Sequence, residues 1–191
     1  PRPHAPRCPG RAAGAARAAQ PAWAALAPEA RQACLDALAD GLDRYAGHFV
    51  KLLRGDTGFP EAQAQDEVAA ALAALRGTAV GEAGVVALVV DATRPLAGFA
   101  EAAASILRAG GAVIVKPSPK APAAAFALCE LSGRAAWPPG VLNLMQGDTE
   151  AIDGLCCGGI DRLVYAGNAA LGVQVGAIAD AAGKPYVMLA S

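Results

Sequence analysis

The spacing of hydrophobic positions changes after Gly81 and divides the chain into a helical part and an alternating part. Within 28–54 the large apolar residues recur in steps of three and four, which is the spacing of one helix face. These residues are Leu35, Leu38, Leu42, Tyr45, Phe49 and Leu52. The spacing predicts one long helix that stops at Gly55, and a similar stripe predicts a second helix over 60–76. We expect both helices to cover one side of a core.

After Gly81, short apolar runs alternate with helical patterns. The runs are rich in β-branched residues and too short for helices, as in strands that are buried on both faces. The predicted strands are 84–90, 112–115, 141–145, 161–166 and 185–189. The predicted helices between them are 95–108, 119–133, 148–157 and 167–182. This alternation predicts an α/β fold with a doubly wound, parallel, five-stranded sheet.

Composition and charge exclude several classes of function. Of the 191 residues, 54% are hydrophobic and 17% are charged, which is too apolar for a disordered chain. The net charge of -1 gives no general attraction to nucleic acid or to anionic membranes. No apolar run reaches the roughly 18 residues of a membrane span. Five cysteines at irregular spacing and two histidines suggest neither a disulfide framework nor a metal site. We therefore expect a cytoplasmic protein without nucleic-acid, membrane or metal partners.

The first residues predict a disordered tail over 1–10, followed by a domain over 11–191. Residues 1–20 hold four arginines and no acidic residue, a composition that also occurs in targeting peptides. We favour the tail because serine is absent there and an Ala-rich helical pattern starts at Arg11. Because the chain begins with Pro1 rather than Met, we expect a piece of a longer product or a processed one.

Candidate ligand-binding residues lie where the predicted strands end, because open parallel sheets bind ligands beyond the carboxyl ends of their strands. Lys116 directly follows an apolar run, where its ammonium could donate to a ribose hydroxyl or attract a phosphate. It could equally extend into solvent. Gly167 precedes a helix whose N-terminal N–H groups could bind a phosphate, although glycine also suits such a turn. Gly147 has the same two interpretations. The residues alone thus indicate an α/β sheet with a candidate anion or nucleotide crevice.

Common nucleotide-binding and catalytic motifs are missing. No G-x-G-x-x-G follows a strand, and 176–184 is not a P-loop, because its gap is too long and Pro185 takes the Ser/Thr position. No G-x-S-x-G is present, and neither histidine has an obvious nucleophile partner. Cys156 and Cys157 lack a nearby basic group, which favours small buried residues over a redox pair.

Several segments, in this order, resemble the aldehyde dehydrogenase superfamily. They are AVIVKPS at 112–118, PPGVLN at 138–143 followed by Gly147, and DRLVYAGN at 161–168 followed by Gly172. The region from AQPAW at 19–23 to Gly58 is similar to the N-terminal helices of that family, so the resemblance covers about 11–191. It implies an NAD(P)-binding domain without G-x-G-x-x-G. It also implies an enzyme that oxidises aldehydes through a thiohemiacetal on a cysteine and passes hydride to the nicotinamide.

The resemblance assigns cofactor contacts to four residues. Lys116 would bind the adenosine ribose, and Gly147 would line the adenine pocket. Gly167 and Asn168 would meet the pyrophosphate at a helix N-terminus, in agreement with the helix dipole. We expect NAD or NADP at these residues if binding survives.

The sequence also departs from the family's motifs. The family's Pro-Trp-Asn is Asp91-Ala92-Thr93 here, which removes an amide donor to the oxyanion and places a negative charge near the phosphates. Further departures are Pro119 for an acidic ribose contact, Asn168 and Ala169 for a Ser-Thr pair, and Leu189 nearest to the general-base glutamate. None of the five cysteines matches the nucleophile, so no catalytic residue is assigned.

Three hypotheses follow from this mixture. A non-catalytic structural or interaction domain is favoured by Asp91, Thr93, Pro119 and Leu189. This pseudo-enzyme would be similar to the second aldehyde dehydrogenase domain of the family's two-domain sixteenth branch. Lys116 and Gly167 favour the alternative, the cofactor-binding part of an NAD(P)-dependent aldehyde dehydrogenase, or a module that binds a nucleotide without turnover. We expect the non-catalytic domain, and we expect this chain to be inactive by itself. Its partner would be the rest of a larger chain or further copies of itself.

Overall fold

The structure is a computed structural model that describes residues 9–134 and 137–190. Its helices are α1 Pro9–Ala24, α2 Pro28–Arg44, α3 Ala46–Thr57, α4 Glu61–Arg76, α5 Ala97–Arg108, α6 Ala123–Arg134, α7 Thr149–Cys157 and α8 Ala169–Ala181. Its strands are β1 Val85–Val90, β2 Ala112–Pro117, β3 Leu142–Leu144, β4 Arg162–Gly167 and β5 Tyr186–Ala190. The tail predicted over 1–10 lies outside the described residues except for Pro9 and Gly10, which belong to α1.

The five strands form one parallel sheet in the order β3-β2-β1-β4-β5. Val89 in the central strand pairs with Lys116 of β2 on one side and with Tyr165 of β4 on the other. The predicted doubly wound, parallel sheet is therefore confirmed. Strand order reverses between β1 and β4, and in such sheets the carboxyl edge at the reversal is where ligands bind.

Alternate residues of the three inner strands, β2, β1 and β4, face two separate cores. Val86 and Leu88 belong to a core with α2 to α6, whereas Val85 and Ala87 belong to a core with α7, α8 and the first half of α1. Because both faces are covered, every residue of β1 is buried. This explains why the strand is a continuous apolar run instead of an alternating one.

The single helix predicted within 28–54 is wrong, because the structure contains two helices there. The chain leaves helical geometry at Tyr45, with φ -107° and ψ 17°, and the second helix continues past Gly55 to a left-handed Gly58 with φ 74°. Beyond the break Phe49 and Leu53 are buried. A one-residue interruption leaves the spacing of apolar residues nearly unchanged, so periodicity does not detect it.

Smaller differences concern the ends of elements. Helix α6 begins at Ala123 instead of 119, and β4 continues through Gly167. The N-cap of α8 is consequently Asn168, whose Oδ1 accepts a hydrogen bond from the Leu171 N–H at 3.0 Å. Asp148 is the N-cap of α7, but its side chain makes no capping hydrogen bond. Within 9–134 and 137–190, no helix has the length and apolarity to cross a membrane.

Candidate functional site

The parallel sheet brings the four residues expected to bind a cofactor to one edge. Lys116 lies near the end of β2, beside Val89 of the central strand. Gly167 ends β4 on the other side of that strand, and Asn168 follows it. Gly147 lies beyond β3, whose carboxyl end is at the same edge.

Asp91, the first residue after β1, accepts five hydrogen bonds at this edge. Its Oδ1 accepts from the Thr93 backbone N–H at 2.8 Å and from the Thr93 hydroxyl at 2.5 Å. Its Oδ2 accepts from the Tyr165 hydroxyl at 3.1 Å, and from the backbone N–H and side-chain amide of Asn168 at 2.8 and 3.1 Å. The residue is only 4% exposed, so these donors replace solvent around the carboxylate.

The hydrogen bonds keep Asp91 ionised despite its burial. Burial by itself raises the pKa of the carboxyl, but the bonds from Thr93, Asn168 and Tyr165 outweigh it and hold the pKa below its ordinary value. Burial and the nearby Asp91 charge raise the pKa of the Tyr165 phenol, which therefore remains a neutral donor. A negative charge is consequently held at the N-terminus of α8, where the helix dipole stabilises it.

Gly167 has the carboxylate of Asp91 directly against its Cα. Its φ is 153°, and a Cβ built there would collide with that carboxylate. The resemblance implies that the pyrophosphate of NAD(P) would lie against the Gly167 backbone and accept a hydrogen bond from the Asn168 N–H. In this chain the N–H is donated to Asp91. The residues at this end of the crevice do not fit a diphosphate unless Asp91 moves away.

Lys116 lies at the β2–β3 end of the same edge, in surroundings that differ from those of Asp91. The side chain is 4% exposed, and its Nζ donates to the Pro117 carbonyl at 3.3 Å. Burial lowers the pKa of this ammonium, while Asp148 partly counteracts that effect. Gly147 and Asp148 are exposed beside it. A ribose hydroxyl is a group that this lysine could bind.

Two further carboxylates at this edge were missed by sequence reasoning. Glu67 of α4 accepts from the N–H groups of Leu96 and Ala97 at 3.1 and 2.9 Å, at the start of α5. Asp56 of α3 accepts from the Ala123 N–H at 2.8 Å, at the start of α6. Of the four helices that each follow a strand of the sheet, α5, α6 and α8 thus have an internal carboxylate on their N-terminal N–H groups. No local signal marks Glu67 or Asp56, since their partners are distant in sequence.

The structure also shows the surroundings of Thr93 and Leu189, two positions that depart from the family's catalytic motifs. Both donors of Thr93 are committed to Asp91. The neighbouring Arg94 binds Glu101 through both carboxylate oxygens, at 2.9 and 2.6 Å. Leu189 in β5 is 42% exposed and apolar, so it offers no proton acceptor where the resemblance expects a general base.

Comparison with known proteins identifies the family. The aldehyde dehydrogenase family model matches residues 8–83 and 81–190. The N-succinylglutamate 5-semialdehyde dehydrogenase of Enterobacter sp. (strain 638) is 33% identical over 92% of this chain and 40% of its own length. The 3,6-anhydro-alpha-L-galactose dehydrogenase of Streptomyces coelicolor is 31% identical over 72% of this chain and 32% of its own length. This chain belongs to the aldehyde dehydrogenase family.

Solved structures agree with this assignment. An indole-3-acetaldehyde dehydrogenase in apo form superposes with a TM-score of 0.86 at 25% identity, over 96% of this chain and 48% of that one. The succinate-semialdehyde dehydrogenase of Burkholderia pseudomallei gives a TM-score of 0.85 at 25% identity, over 94% and 42%. The chain therefore spans less than half the length of the family members that it matches.

Proposed function

We propose that this domain is a non-catalytic, structural member of the aldehyde dehydrogenase family, in which the protein's own carboxylate replaces the cofactor's diphosphate. The hydrogen bond from the Asn168 N–H to Asp91, at 2.8 Å, is the observation that carries the proposal. A diphosphate would have to break this bond and leave the Tyr165 hydroxyl without its acceptor. It would also lie beside a buried negative charge, which repels it.

Two other positions support the loss of chemistry. Thr93 stands where the family has the amide that stabilises the oxyanion, and its hydroxyl is bound to Asp91. Leu189 is the residue nearest to the position of the family's general-base glutamate, and a leucine side chain cannot accept a proton. The partner of such a domain would be the rest of a larger chain or a second copy. The cysteines at 34, 129, 156 and 157 are free in the described part of the chain, which supports a reducing, cytoplasmic location.

Calorimetric titration with NAD and with NADP tests the proposal on the purified chain. We expect no binding tighter than about 1 mM, which corresponds to about 4 kcal/mol, and no reduction of NAD with any aldehyde. Asp91→Ala should gain affinity for inorganic pyrophosphate, because it frees the Asn168 N–H. Asp180→Ala is the matched control, since this exposed carboxylate lies in the last turn of α8, away from the crevice. Binding of NAD by the wild-type chain in competition with pyrophosphate would refute the proposal.

One observation favours a second candidate, the cofactor-binding part of an NAD(P)-dependent enzyme that oxidises aldehydes. The buried Lys116 ammonium has one hydrogen bond, to Pro117, among the described residues. It therefore retains donors for a ribose hydroxyl. Under this alternative the wild-type chain binds NAD or NADP, and Lys116→Met abolishes binding while Lys120→Met leaves it intact.

A further inference from the structure

A cavity of about 700 Å³ lies between α3 and α6 and reaches the carboxyl edge of the sheet at Ala123 and Gln146. Apolar and aromatic side chains line most of it, among them Phe49, Leu52, Phe126 and Leu131. Its volume is within the roughly 300–1,000 Å³ that is typical of sites for small molecules. The cavity is therefore large enough for the apolar body of a ligand.

A second cavity of about 330 Å³ adjoins the first, because Tyr45, Leu131 and Arg134 line both. It lies between α2 and α6 and adds Arg44 and Asp40 to the walls. We name the two cavities together the α2–α3–α6 groove. Tyr45, which interrupts the helix between α2 and α3, lies where they meet.

Two large aromatic side chains of the groove are partly open to solvent. Phe126 is 50% exposed and Tyr45 is 44% exposed. Aromatic side chains with this exposure contribute binding energy when a ligand removes them from water. The groove thus has an apolar surface available for a partner.

Charge distinguishes the two ends of the groove. Arg44 and Arg134 both line the smaller cavity, in the last turns of α2 and α6. Neither forms an ion pair within the described part of the chain, whereas Asp40 beside them is paired with Arg76 at 3.1 Å. Glu130 lines only the larger cavity. An anionic group is consequently favoured at the end with the two arginines and disfavoured near Glu130.

We propose that the α2–α3–α6 groove binds a monocarboxylic acid with an extended apolar body. The carboxylate lies between Arg44 and Arg134, which can each form charge-assisted hydrogen bonds with it. The apolar body lies in the larger cavity, against Phe126 and Leu52. This proposal does not depend on the loss of cofactor binding, because the groove shares no residue with the Asp91 network.

Titration of the purified chain with decanoate, below its micellar concentration, tests the proposal. We expect saturable binding of one decanoate, and at least tenfold weaker binding of decanol, which has the same chain without the charge. The double substitution Arg44→Gln and Arg134→Gln should weaken decanoate binding at least tenfold. The control Arg54→Gln, an exposed arginine of α3 that pairs with Glu61 outside the groove, should leave it unchanged.

Phe126→Ala separates the apolar contact from the charge. Because the side chain is half exposed, the variant should fold, as circular dichroism can verify, and it should weaken decanoate and decanol alike. Absence of decanoate binding, or binding that is indifferent to the arginines, would overturn the proposal. A dimer in sedimentation that Phe126→Ala dissociates would overturn it in favour of a second copy as the occupant of the groove.

Discussion

The two ends of the sheet's carboxyl edge differ in how fully hydrogen bonds compensate a buried charge. At the β1–β4 end, five donors converge on the Asp91 carboxylate. At the β2–β3 end, the equally buried Lys116 ammonium has a single hydrogen bond of 3.3 Å, to Pro117, among the described residues. The family resemblance assigns contacts with a dinucleotide to both ends. At the first end the carboxylate and its donors are bound to one another. At the second end the ammonium retains donors that a ligand could use.

The difference follows from the cost of burying charge. A buried ion loses several kcal/mol of hydration unless charges or hydrogen bonds inside the protein replace it. Asp91 is fully compensated by its five bonds, so removing it leaves buried donors without an acceptor. Lys116 is only partly compensated, so removing its charge relieves a cost. The substitutions below test this contrast, in order of expected effect.

Asp91→Ala should lower the free energy of unfolding by about 3 kcal/mol, because the Tyr165 hydroxyl and the Asn168 N–H lose a charged acceptor. Urea denaturation measures this change. The control Asp180→Ala, at an exposed site in the last turn of α8, should lie within about 0.5 kcal/mol of the wild type. Similar losses for the two variants would contradict the closed network at Asp91.

Gly167→Ala should cost about 2 kcal/mol, because φ of 153° is strained for alanine and the new Cβ meets the Asp91 carboxylate. In the Asp91→Ala background the cost should be smaller by about 1 kcal/mol, since the obstacle is gone. A double-mutant cycle in urea measures this coupling, and strict additivity would exclude the contact.

A glycine elsewhere supplies the matched control. Gly55 lies inside α3, and a Cβ there meets nothing within 4 Å. Gly55→Ala should therefore stabilise the protein by roughly 0.5–1 kcal/mol, as in other exposed helices. Destabilisation would instead support the sequence-based prediction that the helix stops at this residue.

Lys116→Met should leave the free energy of unfolding unchanged at neutral pH or raise it by up to about 1 kcal/mol, because a partly compensated buried ion is replaced by an apolar side chain. Burial lowers the pKa of Lys116 in the folded state, so its protonated form is disfavoured there. The wild type should therefore gain stability relative to the variant as the pH rises towards the ordinary pKa of lysine. A wild type that instead lost stability relative to the variant over this range would contradict the assignment.

The contribution of Asp91 should vary with pH in the acidic range. Its pKa in the folded state is below the ordinary value, so its stabilisation is complete above the unfolded pKa and is lost as the pH falls through the folded pKa. The stability difference between wild type and Asp91→Asn should therefore be smaller at pH 3 than at pH 7. Thermal unfolding of both proteins measures it, and a difference that is constant with pH would mean that Asp91 is not ionised.

The element types could be predicted from the chain because they depend on local spacing. All five strands lie within three residues of their expected ends, since each is a short apolar run between turn residues. The break at Tyr45 was missed, because the stripe of apolar residues continues across it. At the candidate site, the meeting of Lys116, Gly147 and Gly167 at one edge follows from parallel pairing alone.

The partners of the site residues depend instead on packing between elements. Asp91 meets Tyr165 only because β1 and β4 are neighbours in a particular register, and Glu67 reaches the start of α5 only because α4 packs beside that helix. Amino-acid order thus sufficed for most of the helices, for the strands and for the convergence of Lys116, Gly147 and Gly167 at one edge. Folding in three dimensions decided which carboxylate occupies which helix N-terminus, because hydrogen bonds require distances and directions that no local pattern of side chains encodes.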